Sequence, residues 1–160
     1  MKLRSTLLWI LALILTVVIA HYQRATGPTY PLDGRAALGP VTFDWELTRT
    51  HGGAGDQPVR LVVPDTLVSG VLYWKHYKLE EPLHTVPMRR EGDTLSAALP
   101  HQPPAGKLEY QVKLTRGTET LFLPAEGTVV TRFKGHVPLG VLIPHILFMF
   151  AAMLLALRAA

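Results

Sequence analysis

A chain of 160 residues has room for one globular domain of ordinary size and little more. Its formal charge of +4 sits at the ends: without Lys2, Arg4 and Arg158, thirteen basic residues face twelve acidic ones, so the basic patch that nucleic-acid binding needs is not expected. The absence of cysteine excludes disulfides, thiolate zinc sites and cysteine nucleophiles.

Residues 1–22 open on a basic start, Met1-Lys2-Leu3-Arg4-Ser5, followed by an uncharged apolar run over 7–20. This predicts an export signal of some kind. As a helix the run reaches only about 21 Å against a hydrocarbon core of about 30 Å, which admits a cleaved signal peptide with Val18 and Ala20 at the −3 and −1 positions. Trp9 and Tyr22 at the two interfaces, with Arg4 snorkelling, favour an uncleaved transmembrane anchor instead. Both readings place the chain from His21 onward outside the cytoplasm.

Residues 23–40 read as a connector, with turn signals at Gly27-Pro28 and Asp33-Gly34 and a short edge strand around 35–38. Residues 41–136 carry β patterning. Val41, Phe43, Trp45 and Leu47 alternate with Thr42, Asp44, Glu46 and Thr48, and a Gly-rich turn covers 51–56. Further strands are expected at 58–63, 70–78, 85–90, 94–99, 120–123 and 128–133, and the clearest has Leu108, Tyr110, Val112 and Leu114 on one face. With Gly/Pro turns between them and no helical period, they predict an all-β fold: an immunoglobulin- or fibronectin-III-like β-sandwich flanked by N- and C-terminal transmembrane helices, with a closed barrel as the alternative. Tyr110, four residues after Gly106, is placed like a tyrosine corner, or else is a core tyrosine whose hydroxyl reaches solvent. Trp74 is either the packed tryptophan of such a sandwich or partly exposed beside Tyr73 and His76.

Residues 137–158 form the second transmembrane helix, since 137–157 lack formal charge and are long enough for a full crossing. A return crossing puts Arg158 inside, although Arg132 and Lys134 lie on the outer flank. Within this span His145 follows Pro144 and shares a helix face with Met149, Ala152 and Ala156. That stripe admits close helix packing; the alternatives for His145 are an interfacial histidine satisfied by water or headgroups, and ligation of haem or metal.

The seven histidines (His21, His51, His76, His84, His101, His136 and His145) show no HxH, HExxH or HxxxH spacing, so no metal site is expected. Ser5, Ser69 and Ser96 lack a nucleophile-elbow context, and Glu80-Glu81 falls in a polar loop before Pro82. No glycine-rich phosphate loop precedes a helix, and the adjacent Arg89 and Arg90 are too few for a polyanion site. No catalytic residue and no cofactor are expected.

The segments 26–32 (TGPTYPL), 103–110 (PPAGKLEY) and 132–138 (RFKGHVP), running into Val141-Leu-Ile-Pro-His145, resemble an uncharacterised family of bacterial integral membrane proteins. The resemblance implies an N-terminal anchor, an extracytoplasmic sandwich, a multi-pass location in the inner (cytoplasmic) membrane, and further C-terminal helices beyond Ala160; it implies no catalytic residues. The expected function is that of a non-enzymatic interaction module whose partners are the lipid bilayer and an unidentified membrane or envelope protein. The alternatives are an accessory subunit of a membrane cofactor-handling or transport complex using His145, and a glycan- or lipid-binding domain using an exposed aromatic surface of Tyr73, Trp74 and Tyr77.

Overall fold

The computed structural model describes residues 2–159 and divides the chain into two compact units, one built from the terminal helices and the other spanning Thr29–Gly135.

In the first unit, α1 (Lys2–Thr26) and α2 (Leu139–Ala159) are both long and apolar enough to cross a membrane. The helix α1 is longer than its apolar run. Polar His21, Gln23 and Arg24 do not stop a helix; Gly27-Pro28 does, because proline disfavours helical backbone in the residue before it. At 25 residues, α1 reaches about 37 Å, which removes the shortfall against the hydrocarbon core. The two helices run antiparallel, with the Arg158 guanidinium 5.4 Å from the Trp9 ring and donating to the Ser5 hydroxyl at 3.4 Å. Ala12 and Thr16 are the buried positions of α1. The Thr16 hydroxyl donates back to the Ala12 carbonyl at 2.8 Å, so this buried hydroxyl is satisfied within its own helix. Large apolar side chains point outward on both helices, Leu147 at 64% and Phe148 at 75% exposure among them.

The second unit is mostly β. The hairpin β1 (Leu32–Leu38) and β2 (Val41–Leu47) is in register from Leu32↔Leu47 to Leu38↔Val41. Gly39, at φ +61°, precedes Pro40 in its two-residue turn. This overturns the reading of 23–40 as mainly connector: Asp33-Gly34 is no turn but lies inside β1. A glycine sits there because the Trp45 ring of the opposite strand covers it, and a Cβ would come within 2.9 Å of that ring.

The chain continues through β3 (Thr50–Gly52), β4 (Gln57–Val62), β5 (Ser69–His76), β6 (His84–Pro87), β7 (Arg89–Glu91) and β8 (Thr94–Leu99) to β9 (Lys107–Arg116), β10 (Glu119–Leu123) and β11 (Val129–Lys134). The main sheet has the order β3-β11-β9-β5-β6, with β10 also pairing β9, and a three-stranded sheet has the order β4-β8-β7. All pairs are antiparallel except β3 with β11.

The strand expected at 85–90 is split at Met88, where the chain leaves the main sheet for the smaller one. The Met88 N–H donates to the Gly70 carbonyl at 2.8 Å, and its sulfur fills the space a Cβ on Gly70 would need. Residues from every sheet meet in one core, from Phe43 and Leu61 to Leu72, Leu95, Leu114 and Phe133. The predicted inward face of β9 is buried along its length, with Leu108, Tyr110, Val112 and Leu114 each at 1% exposure or less.

Candidate functional site

Because the inner face of β9 is consumed by the core, its outward residues Lys107, Glu109, Gln111 and Lys113 form the floor of whatever the main sheet presents to solvent. Register sets the walls. Tyr73 of β5 lies opposite Gln111 and Lys75 opposite Glu109, while Phe122 of β10 lies opposite Lys113 on the other side. Together with Glu81 and Leu83 from the β5–β6 connection and Thr128, they enclose a groove of about 430 Å³.

Its polar groups are held in place. Lys75 Nζ is 3.1 Å from Glu109 Oε1, the Thr128 hydroxyl donates to Glu109 Oε2 at 3.2 Å, and the Gln111 amide donates to the Pro124 carbonyl at 2.9 Å. Lys113 Nζ stands 5.9 Å from the centre of the Phe122 ring. Glu81 accepts from the His76 backbone N–H at 2.6 Å and lies 2.8 Å from the His76 Nδ1. These contacts, the backbone bond first, hold its carboxyl below the usual carboxylate range.

A second and larger concavity, about 690 Å³, lies over β1, β2 and the neighbouring β4. It is lined by Tyr30, Asp33, Asp44, Trp45, Glu46, Arg60 and Val62 among others. Asp44 is bound to Arg35 at 2.8 Å, and this contact lowers the carboxyl's pKa while raising that of the guanidinium. Asp33 and Glu46, directly opposite one another across the β1–β2 ladder, have no ion pair among the described residues, nor has Arg60. Like charges facing each other across a ladder are unfavourable until something neutralises them.

Between the layers runs a buried polar chain that sequence reasoning missed. The Thr131 hydroxyl donates to Gln57 Oε1 at 2.7 Å, the Gln57 amide donates to the Thr48 hydroxyl at 2.9 Å, and the Tyr110 hydroxyl donates to the Thr48 carbonyl at 2.8 Å. Tyr110 is therefore neither a tyrosine corner nor open to solvent: its partner lies 62 residues upstream, on the segment after β2. Burial pushes the phenol's pKa well up, and the bond to Thr48 offsets only part of this. The 63–68 connection is fixed as firmly. Arg90 donates to the carbonyls of Val63, Asp65 and Val68, and Arg116 pairs with the Asp65 carboxylate at 2.6 Å. The Arg116 bond and the Leu67 N–H lower the Asp65 pKa.

Tyr73, Trp74 and Tyr77 do not form one exposed surface; all three are half-buried. Tyr73 faces the groove, whereas Trp74, next along the strand, points to the other side and packs against the core. The His84 ring stacks on Trp74 at 4.2 Å and His76 meets its edge at 5.8 Å. Tyr77 lies between Lys78 and Lys107. His145, Met149, Ala152 and Ala156 are all exposed, away from the partly buried side of α2, which is Met153, Leu154, Leu157 and Arg158. The stripe of small residues is on α2, but the small residues that admit the neighbour are Ala12 and Thr16 of α1.

His51 and His101 pack edge-on against buried Phe133, and both rings reach the Gly55 carbonyl, at 3.2 and 2.9 Å. A carbonyl only accepts, so each ring donates there, His51 through Nε2 and His101 through Nδ1. These two histidines fasten a loop. Among the described residues no group of three or more His, Asp or Glu side chains is placed to hold a metal ion.

Comparison with protein-family models and with curated proteins finds no match for this chain. Two apolar helices flanking a β-rich unit are the part of the family resemblance visible in the structure.

Proposed function

We propose that the chain is a two-pass membrane protein whose β unit is an immunoglobulin-like sandwich outside the cytoplasm, serving as a non-enzymatic docking module for another membrane or envelope protein. The strand order supports the sandwich: β4-β8-β7 corresponds to B-E-D and β11-β9-β5-β6 to G-F-C-C′, with β2 beside β4 in the place of A. The distribution of charge supports the orientation. Arg4 of α1 and Arg158 of α2 belong to the same end of the antiparallel pair, as expected for an end retained in the cytoplasm. A bacterial inner membrane follows from the family resemblance.

The observation that carries the docking role is the concavity over β1, β2 and β4. It combines unneutralised Asp33 and Glu46 with exposed Tyr30 and Val62, at 46% and 58%. A partner presenting a basic residue beside an apolar one relieves the repulsion between Asp33 and Glu46 and covers the apolar surface in one contact. Elsewhere on the unit the carboxylates of Asp65, Glu81 and Glu109 are already engaged, which suits a rigid binding surface better than turnover.

Photo-crosslinking in native membranes tests this. A photoreactive side chain at Val62 is expected to give a discrete adduct that disappears in the Asp33→Arg, Glu46→Arg background. The same probe at exposed Leu67, outside the concavity, gives none. Equal labelling from both positions, or none from either, contradicts the docking role.

A further inference from the structure

The groove on the outer face of the main sheet has a different chemistry from the docking concavity, and it points to a different ligand. We propose that it binds a neutral oligosaccharide, with the rings of Tyr73 and Phe122 as its two apolar walls and Glu109 and Gln111 as its polar floor.

Size is the first argument. At about 430 Å³ the groove is within the range of small-molecule sites, and it is lined mainly by apolar surface with a few fixed polar groups. Charge is the second. Lys75 and Lys113 are balanced by Glu81 and Glu109, and each is already engaged: Lys75 with Glu109, Glu81 with His76, and Lys113 over the Phe122 ring. The groove therefore offers no surplus charge to an ionic ligand.

Hydrogen bonding is the third. The contacts from Lys75 and Thr128 orient the Glu109 carboxylate and leave it further acceptor capacity. The bond from Gln111 to Pro124 fixes the amide, leaving one N–H and its carbonyl oxygen for a ligand. Donors and acceptors set in advance, side by side between aromatic walls, match a ring that carries hydroxyls on its rim and C–H groups on its face. A hydrocarbon chain would cover these polar groups without bonding them, which disfavours a lipid tail.

Topology is the fourth. The floor strand β9 is paired on both sides, to β5 and to β10 and β11. It has no free backbone edge in the groove for an extended peptide to join, so recognition falls to side chains alone.

The groove and the docking concavity share no residue, so either assignment can fail without the other. The test uses the full chain in lipid nanodiscs, because glycosidic detergents present sugar headgroups. Titration calorimetry would use cello-, malto- and N-acetylchito-tetraose as neutral probes, a heparin tetrasaccharide as an anionic one and chitosan tetraose as a cationic one. At least one neutral probe is expected to bind saturably. Tyr73→Ala and Phe122→Ala should each weaken it about tenfold, and Val62→Ala should leave it unchanged. Phe122→Leu keeps the apolar bulk and removes the ring, so loss of binding there, with unchanged thermal unfolding, separates a ring contact from a folding defect. Failure of every neutral probe to saturate at millimolar concentration would overturn the proposal. So would tighter binding of either charged probe, or binding that survives both ring substitutions.

Discussion

The helical unit and the β unit use the same apolar residue types and turn them in opposite directions. In the β unit Leu72, Leu99 and Leu114 are fully buried, and the buried side chains of Thr131 and Gln57 are joined to Thr48 in one hydrogen-bonded chain. In the helices Leu139, Leu147 and Phe148 point outward, and among the described helix residues Ala12 and Thr16 alone are buried. Burial inward suits a body that folds against water; an apolar exterior, with backbone hydrogen bonds satisfied inside each helix, is compatible with a segment solvated by hydrocarbon.

The same aromatic truncation breaks the comparison most sharply. Phe133→Ala removes a side chain at 1% exposure from the centre of the β core and should destabilise that unit by about 3–5 kcal/mol. Phe148→Ala, on the exterior of α2, should leave chemical unfolding of the β unit unchanged. Denaturant melts followed by near-ultraviolet circular dichroism distinguish the two. Next in size is Thr131→Val. It keeps the shape and strands the buried Gln57 carbonyl oxygen without its donor, for an expected loss of about 1–3 kcal/mol in the same melts.

The smallest expected effects are those of pH. The Asp65 carboxyl has a lowered pKa in the folded state, so its stabilisation is present above the ordinary aspartate value of about 4 and is lost as pH falls through the lowered one. Asp65→Asn should flatten the acid limb of a stability–pH profile. Tyr110 is the opposite case. Its pKa is raised by burial, so its contribution is complete below the ordinary tyrosine value of about 10 and declines as pH rises beyond it. Tyr110→Phe should flatten the alkaline limb and leave the acid limb as it was.

Where neighbours in sequence decide the structure, the sequence was legible. The alternation from Leu108 to Leu114 marks a half-buried strand by itself, and the long uncharged run of α2 marks a helix long and apolar enough to cross a membrane. Distant partners account for what could not be read. Asp33-Gly34 has the composition of a turn, but Trp45 across the hairpin turns that glycine into space for its ring. Residues 85–90 have one strand pattern, yet their ends pair with β5 and β8 in different sheets. Tyr110 was conspicuous and its acceptor, Thr48, was not, because nothing local links positions so far apart. The groove was half legible: Tyr73 stands out in an aromatic-rich strand, whereas Phe122 joins it only through the β9–β10 register.

The partition between two solvents is tested most directly by washing vesicles that carry the full chain with alkaline carbonate. Retention of the whole polypeptide in the pellet is the predicted result. Its release into the supernatant would mean that the apolar faces of α1 and α2 are not held by lipid, and would contradict the account.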